Sequence, residues 1–402
     1  ESGSFGSSGT VKVDDEHITF TANDSGTEIL SGLTRASDNT TAASHSDGAT
    51  VTDISDYTKW GASQTGDIIT APGLWHLDNF GNKLIATIND GSTFEWDSNA
   101  AGASSTRATL LANAPTATIK TLVSTPDRHL LFFGTETTIA TTSSQDEMYI
   151  RWSSQESIDA STSYAPSSTN TAGTQRLAQG SKIIGAIRGR DTMYIWTDSA
   201  IFLMRFVGQP FTFSFEQVGT NCGLIGQNAV VEIDGVAYWM SSKGFFLFDG
   251  TVKSLSCTIE DYVYDDVDTT KGQQFCAAIN NLFTEVVWYY PTLGESYNDR
   301  YAVYNYGESA GSAENKVPGG VWYPGTEART SWMPAKIYPN PHSTKFDSTA
   351  TGTFPSIIGE TGLGQTVYFE QEVGTNQINP DGSSTAIAGS LESYDFDLEV
   401  GG

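Results

Sequence analysis

Positive charge is scarce in this chain. Lys and Arg number 21 against 47 Asp and Glu, and the formal net charge is −26. That balance argues against a protein that grips nucleic acid by counterion release, and against docking on an anionic membrane. Cysteine is nearly absent: Cys222, Cys257 and Cys276 are widely spaced, odd in number, and form no CxxC pair. Neither a disulfide framework nor a structural zinc site follows, and buried free thiols are the simplest reading. No run approaches the ~20 apolar residues that span a bilayer, so no membrane anchor is expected. Helical periodicity of useful length is missing. So are HExxH, GxSxG and Walker A motifs. The five histidines, His17, His45, His76, His129 and His342, lie in unrelated local settings and support no triad. No secretory leader is visible, and the start at Glu1-Ser2 reads as a processed or partial chain.

What the chain has is turns and short apolar runs. Aromatic residues reach 11%, too many for a disordered chain. Between Ser181 and Leu255 the runs are 192–196, 201–206, 211–215, 230–233, 236–240 and 245–248. All are rich in β-branched or aromatic residues, which suit a pleated, half-buried surface. Turn residues separate them. Asp234-Gly235 between apolar runs predicts a two-residue hairpin turn with φ > 0. Residues 230–255 therefore read as a four-stranded antiparallel meander, the size of one propeller blade. Comparable hairpin turns fall near Asp90, Gly134, Asp198, Ser242 and Leu293, at spacings of about 45–65 residues that blades with loops can have.

The predicted fold is all-β: a β-propeller-like body of antiparallel four-stranded blades with long loops. The expected divisions are a polar N-terminal segment, 1–59, read as an extended arm or loop ahead of the alternative of one small hairpin from the strand-like runs 11–13 and 17–20; the body, 60–374; and 375–402, a C-terminal strand segment that could open a further domain. Strand rhythm starts at Trp60, and Ser356-Ile-Ile358 supplies a late strand. Residues 153–180 are too polar to bury, so they are expected as a long surface loop outside the body, touching a neighbouring subunit or tail protein. Trp196, Trp239 and Trp288 are expected in blade cores.

Chemistry is thinly signalled. No catalytic, cofactor-binding or metal-binding residues are assigned, no cofactor is expected, and the chain is not read as an enzyme. The acids Glu260, Asp261, Asp265, Asp266 and Asp268 stand out, in a stretch expected as a short helix or acidic loop. Calcium takes several oxygen ligands, but this spacing fits no EF-hand, and a solvated acidic face is preferred. Sialidase-type propellers carry Ser-x-Asp-x-Gly-x-x-Trp turns, and none is found.

Met148-Tyr-Ile-Arg-Trp-Ser153 resembles a strand of virion tail proteins from short-tailed bacteriophages. Asp234-Gly-Val-Ala-Tyr-Trp239, Gly244-Phe-Phe-Leu-Phe-Asp-Gly250, Glu285-Val-Val-Trp-Tyr-Tyr290, Tyr301-Ala-Val-Tyr-Asn305 and Tyr368-Phe-Glu-Gln-Glu-Val-Gly374 keep that family's order. From about Trp75 to Gly374 the chain is similar to the tail nozzle, hub or packaged-DNA stabilisation proteins. The resemblance implies a structural virion protein in a homohexameric ring below the portal and adaptor, assembled in the host bacterial cytoplasm. Its partners would be those and other tail proteins. Double-stranded DNA would pass through the exit channel without tight binding, and the five acids are the candidate channel lining. The rival readings are a propeller enzyme or lectin acting on host-surface glycan, and a receptor-binding tail tip.

Overall fold

The computed structural model describes residues 6–14, 16–24, 29–37, 40–53, 74–100, 108–125, 127–310, 320–347, 365–373, 376–378 and 384–386. Trp60, Ser356–Ile358 and most of the 375–402 segment lie outside the described residues.

Five four-stranded antiparallel meanders follow one another along the chain. The first blade comprises Trp75–Phe80, Lys83–Ile88, Thr93–Asp97 and Thr109–Leu110. The second is Thr118–Ser124, His129–Thr135, Tyr149–Trp152 and Gly173–Arg176. Ile183–Arg188, Met193–Thr197, Ala200–Gly208 and Thr212–Thr220 form the third. The fourth is Val230–Ile233, Val236–Ser241, Gly244–Phe248 and Val252–Leu255, the meander expected from the sequence. Its first turn has Asp234 at φ 50° and Gly235 at φ 89°, as a two-residue hairpin requires. Cys276–Asn280, Glu285–Tyr290, Arg300–Asn305 and Val321–Gly325 make the fifth. A sixth, three-stranded sheet contains Ser331–Met333, His342–Asp347 and Gln365–Glu370.

The first strands of consecutive sheets lie against one another, from the first blade to the sixth. Sheets arrayed with their first strands inward are the arrangement of a β-propeller. The body is therefore all-β and propeller-like.

Tryptophan holds the blades face to face. Trp196, Trp239 and Trp288 are 0%, 0% and 1% exposed, and all three belong to one core spanning the third to fifth blades. Several indoles also reach the backbone beyond their own strand. Trp239 Nε1 donates to the Cys222 carbonyl at 2.8 Å, ahead of its blade. Trp288 Nε1 reaches the Ala229 carbonyl at 3.1 Å, and Trp332 Nε1 the Ile279 carbonyl at 2.8 Å, each in the preceding blade's region. A buried indole N–H needs such an acceptor, so each bond fixes the register between layers as well as filling space. The cysteines are free, and burial raises their thiols to about 11 for Cys222 and about 12 for Cys257 and Cys276.

Two expectations need correction. Residues 153–180 are not all loop, and they are not wholly outside the body. Gly173–Arg176 is the outermost strand of the second blade. Ile158 and Tyr164 are buried in a core with Leu130 and Phe132, and the Tyr164 ring meets Phe132 edge-on at 5.4 Å. Two apolar anchors suffice to tie down a polar segment whose average composition conceals them. In the described part of 1–59 the small hairpin is present, Gly9–Val13 against Glu16–Phe20, but it belongs to a sheet and not to an extended arm. Gly9–Val13, Glu16–Phe20, Thr34–Ser37 and Val51–Asp53 form a four-stranded sheet over Val11, Val13, Ile18 and Phe20. Buried Glu16 anchors this sheet. It accepts from Arg35 Nε at 2.8 Å and from the Ala36 and Ala43 amides at 3.0 Å. The Arg35 hydrogen bond is the main cause holding its carboxyl well below the usual range.

Candidate functional site

The five acids named from the sequence fall into two groups. The helix Glu260–Tyr264 caps the link from the fourth blade to the fifth. Glu260, Asp261 and Asp265 are exposed on it or just after it. Asp266 instead pairs with Arg300 at 2.7 Å. Asp268 is buried, accepts from Thr270 Oγ1 at 2.6 Å and the Thr270 amide at 3.0 Å, and lies 3.2 Å from Lys271. Its carboxyl is held low, by the Thr270 hydroxyl first. Those two acids shape the connection. Among the described residues, no three His, Cys, Asp or Glu side chains are grouped as metal ligands would be.

Ser124, Asp127 and His129 do meet in space, although the sequence singled out only the histidine. Their order is wrong for a hydrolase. Ser124 Oγ lies 2.7 and 2.8 Å from the two Asp127 carboxylate oxygens, while His129 Nδ1 is 2.8 Å from Asp127 Oδ2. His129 Nε2 faces Thr171 Oγ1 at 3.1 Å, not the serine. A triad needs the histidine between nucleophile and acid; here the acid is the hub. The adjoining cavity of about 40 Å³ has room for water at most. The group is a buried clasp between the turn before His129 and the segment before Gly173.

This clasp carries a pH signature. Burial alone would raise the Asp127 carboxyl, but hydrogen bonds from His129 and Ser124 outweigh it and hold the group below its ordinary 3.8. A depressed carboxyl contributes stability above its unfolded pKa and loses it as pH falls through the folded value. Asp127→Asn should lower stability near pH 7 by about 1–3 kcal/mol. It should also flatten the loss of stability below about pH 4. Urea titrations at stepped pH check this; parallel acid limbs for wild type and variant would contradict it.

A second polar group lies where the first strands converge, and nothing in the sequence marks it. Buried His76, Lys120 and Gln227 come from the first blade, the second blade and the loop before the fourth. Gln227 Nε2 donates to Asn89 Oδ1, joining the first blade to the fourth. Asp78 accepts from the Val123 amide at 2.8 Å and pairs with Arg188 of the third blade. Burial, aided by Lys120, pushes His76 down to about 3. Burial likewise pushes Lys120 down to about 8, against the pull of Asp78. Four blades are thereby cross-linked at the centre. The signal in sequence would be polar residues on otherwise apolar first strands, which only the strand order makes meaningful.

A groove of about 310 Å³ lies between the first and second blades. It is formed by the hairpin turn at Gly81-Asn82, the turn from Asp97 to Asn99, the turn at Arg128, and residues 156–159. Lys83 reaches Glu95 and Asp159, both at 2.8 Å. Arg128 holds Glu156 with two contacts, 2.7 Å from Nε and 2.6 Å from Nη2.

No family model and no curated protein matches the chain. Solved structures do. The chain is similar to BamB from Moraxella catarrhalis at 12% identity, covering 74% of this chain and 82% of that one, with a TM-score of 0.35. It is similar to the computationally designed Ika8 protein at 12% identity, covering 80% and 79%, with a TM-score of 0.37. With dihydro-heme d1 dehydrogenase NirN it shares 8% identity over 85% of this chain and 58% of that one, at a TM-score of 0.39. The propeller-like architecture stands on the chain's own sheet order and strand contacts.

Proposed function

We propose that this chain is a structural protein of a bacteriophage tail, a nozzle or hub ring that forms or closes the DNA exit channel and performs no chemistry of its own. The observation that carries the reading is where the residues of the tail-protein resemblance sit. Arg151, Trp152 and Ser153 are buried in the second blade and bond main-chain groups of neighbouring segments. The 234–239 and 244–250 motifs are adjacent hairpin strands of the fourth blade. A resemblance made of blade-building residues supports a shared scaffold role. The −26 charge is compatible with a channel that repels passing duplex.

The expected assembly is a homohexamer that meets a portal and adaptor. Native mass spectrometry of assembled protein should give six copies; three copies would point to a fibre or spike and sink the reading. The channel-lining part rests on Glu260, Asp261 and Asp265, the exposed acids of the five. A negative lining acts within about 8–10 Å at physiological salt. Replacing these three with Lys should slow genome ejection most at low ionic strength. Unchanged ejection from normally assembled virions would exclude this stretch from the lining.

A further inference from the structure

The groove between the first and second blades has the build of a ligand site. Its volume of about 310 Å³ is at the lower end of small-molecule pockets, roughly 300–1,000 Å³. Its basic groups are already matched. Arg128 is held by Glu156, and Lys83 lies between Glu95 and Asp159. An incoming anion would have to displace these carboxylates. A metal ion finds no group of three ligating side chains among the described residues. What remains favourable is a neutral ligand rich in hydroxyls.

The lining suits such a ligand. Asn82 and Asn99 are exposed amides on neighbouring turns, each with donor and acceptor atoms, and half-buried Asp97, which accepts from the Asn99 backbone amide at 2.8 Å, adds a carboxylate. The half-buried Phe80 ring supplies apolar surface. A pyranose presents this pairing in complement, with hydroxyls around its rim and C–H groups on its face. The walls are also held in place. Arg128 and Glu156 have φ of 45° and 57°, and the Glu156 amide donates to the Arg128 carbonyl at 2.9 Å. Left-handed backbone at two non-glycine residues costs free energy and is a feature of ligand clamps.

We propose that this groove binds a neutral sugar unit of one or two pyranose rings. The site is independent of the ring assembly, and it stands or falls on the isolated chain. The test is saturation-transfer NMR with the methyl glycosides of glucose, galactose, mannose and N-acetylglucosamine, with inorganic phosphate as a competitor. Transfer to at least one glycoside is expected, unaffected by phosphate. The Asn82→Ala/Asn99→Ala double variant should bind about tenfold more weakly, because two ligand hydrogen bonds are lost. Asp97→Asn, which conserves shape, serves as a second variant and should also weaken binding. Thermal melts matching wild type establish that both variants fold. No transfer to any of the four glycosides overturns the proposal. So does transfer that both folded variants retain in full, or displacement of the sugar by phosphate.

Discussion

Trp239→Ala is expected to lower folding stability by about 3–5 kcal/mol, the range for large buried aromatics. The indole is fully buried, stacks on Phe246 at 5.7 Å between ring centres, and meets Trp196 edge-on at 5.4 Å. Its N–H is satisfied by the Cys222 carbonyl. Truncation removes the transfer free energy, leaves a cavity in tightly packed surroundings, and strands that carbonyl. The damage cannot stay local, because the third, fourth and fifth blades share one core. A single cooperative transition at lower urea is therefore expected. Trp75→Ala is the control: that ring is 45% exposed and lies at the start of the first strand of its blade. Its loss should cost under about 1 kcal/mol. Equal midpoints for the two variants would refute the inter-blade role of Trp239.

Arg151 is the second position where a large effect is expected. Its guanidinium is buried and donates to the Tyr164 carbonyl at 2.9 Å, the Glu136 carbonyl at 3.2 Å and the Thr137 carbonyl at 2.9 Å. The fork therefore joins the segment before Gly173 to the end of the second strand of that blade. Arg151→Ala leaves several buried acceptors without a donor and should cost on the order of 3 kcal/mol. Lysine should not rescue it, since an ammonium is a compact point donor and cannot serve carbonyls on two segments at once. The distinguishing readout is limited proteolysis. Cleavage between 154 and 172 should rise in both variants before global unfolding does. Wild-type stability and protease resistance in Arg151→Lys would show that the fork is not what holds this segment.

The extent to which the sequence was legible follows from the range of the interactions. Asp234-Gly235 announced its hairpin because positive φ at both residues is a local steric demand. The tryptophan runs announced blade cores because strand period and side-chain size act over a few residues. Glu16 was not legible, since its partners Arg35, Ala36, Ala43 and His45 lie about twenty or more residues away. Tyr164 was hidden for a similar reason: one ring in a polar stretch is buried only because Phe132 and Ile158 wait for it.

The candidate sites divide the same way. The acids 260–268 could be found as a charge run, but only folding separates exposed Asp261 from Asp268, whose carboxylate is tied to Thr270 and Lys271. Ser124, Asp127 and His129 lie within six residues, yet their hydrogen-bond order, with the aspartate as hub, appears only when the turn is built. The groove and the central His76–Lys120–Gln227 group could not be read at all. Strands and hairpin turns were determined by the sequence itself, because backbone sterics and the two-residue strand period are local. Which polar side chains meet was decided by the tertiary structure alone, because the converging blades bring together residues far apart in the chain, as Asn89 and Gln227 are at a separation of 138.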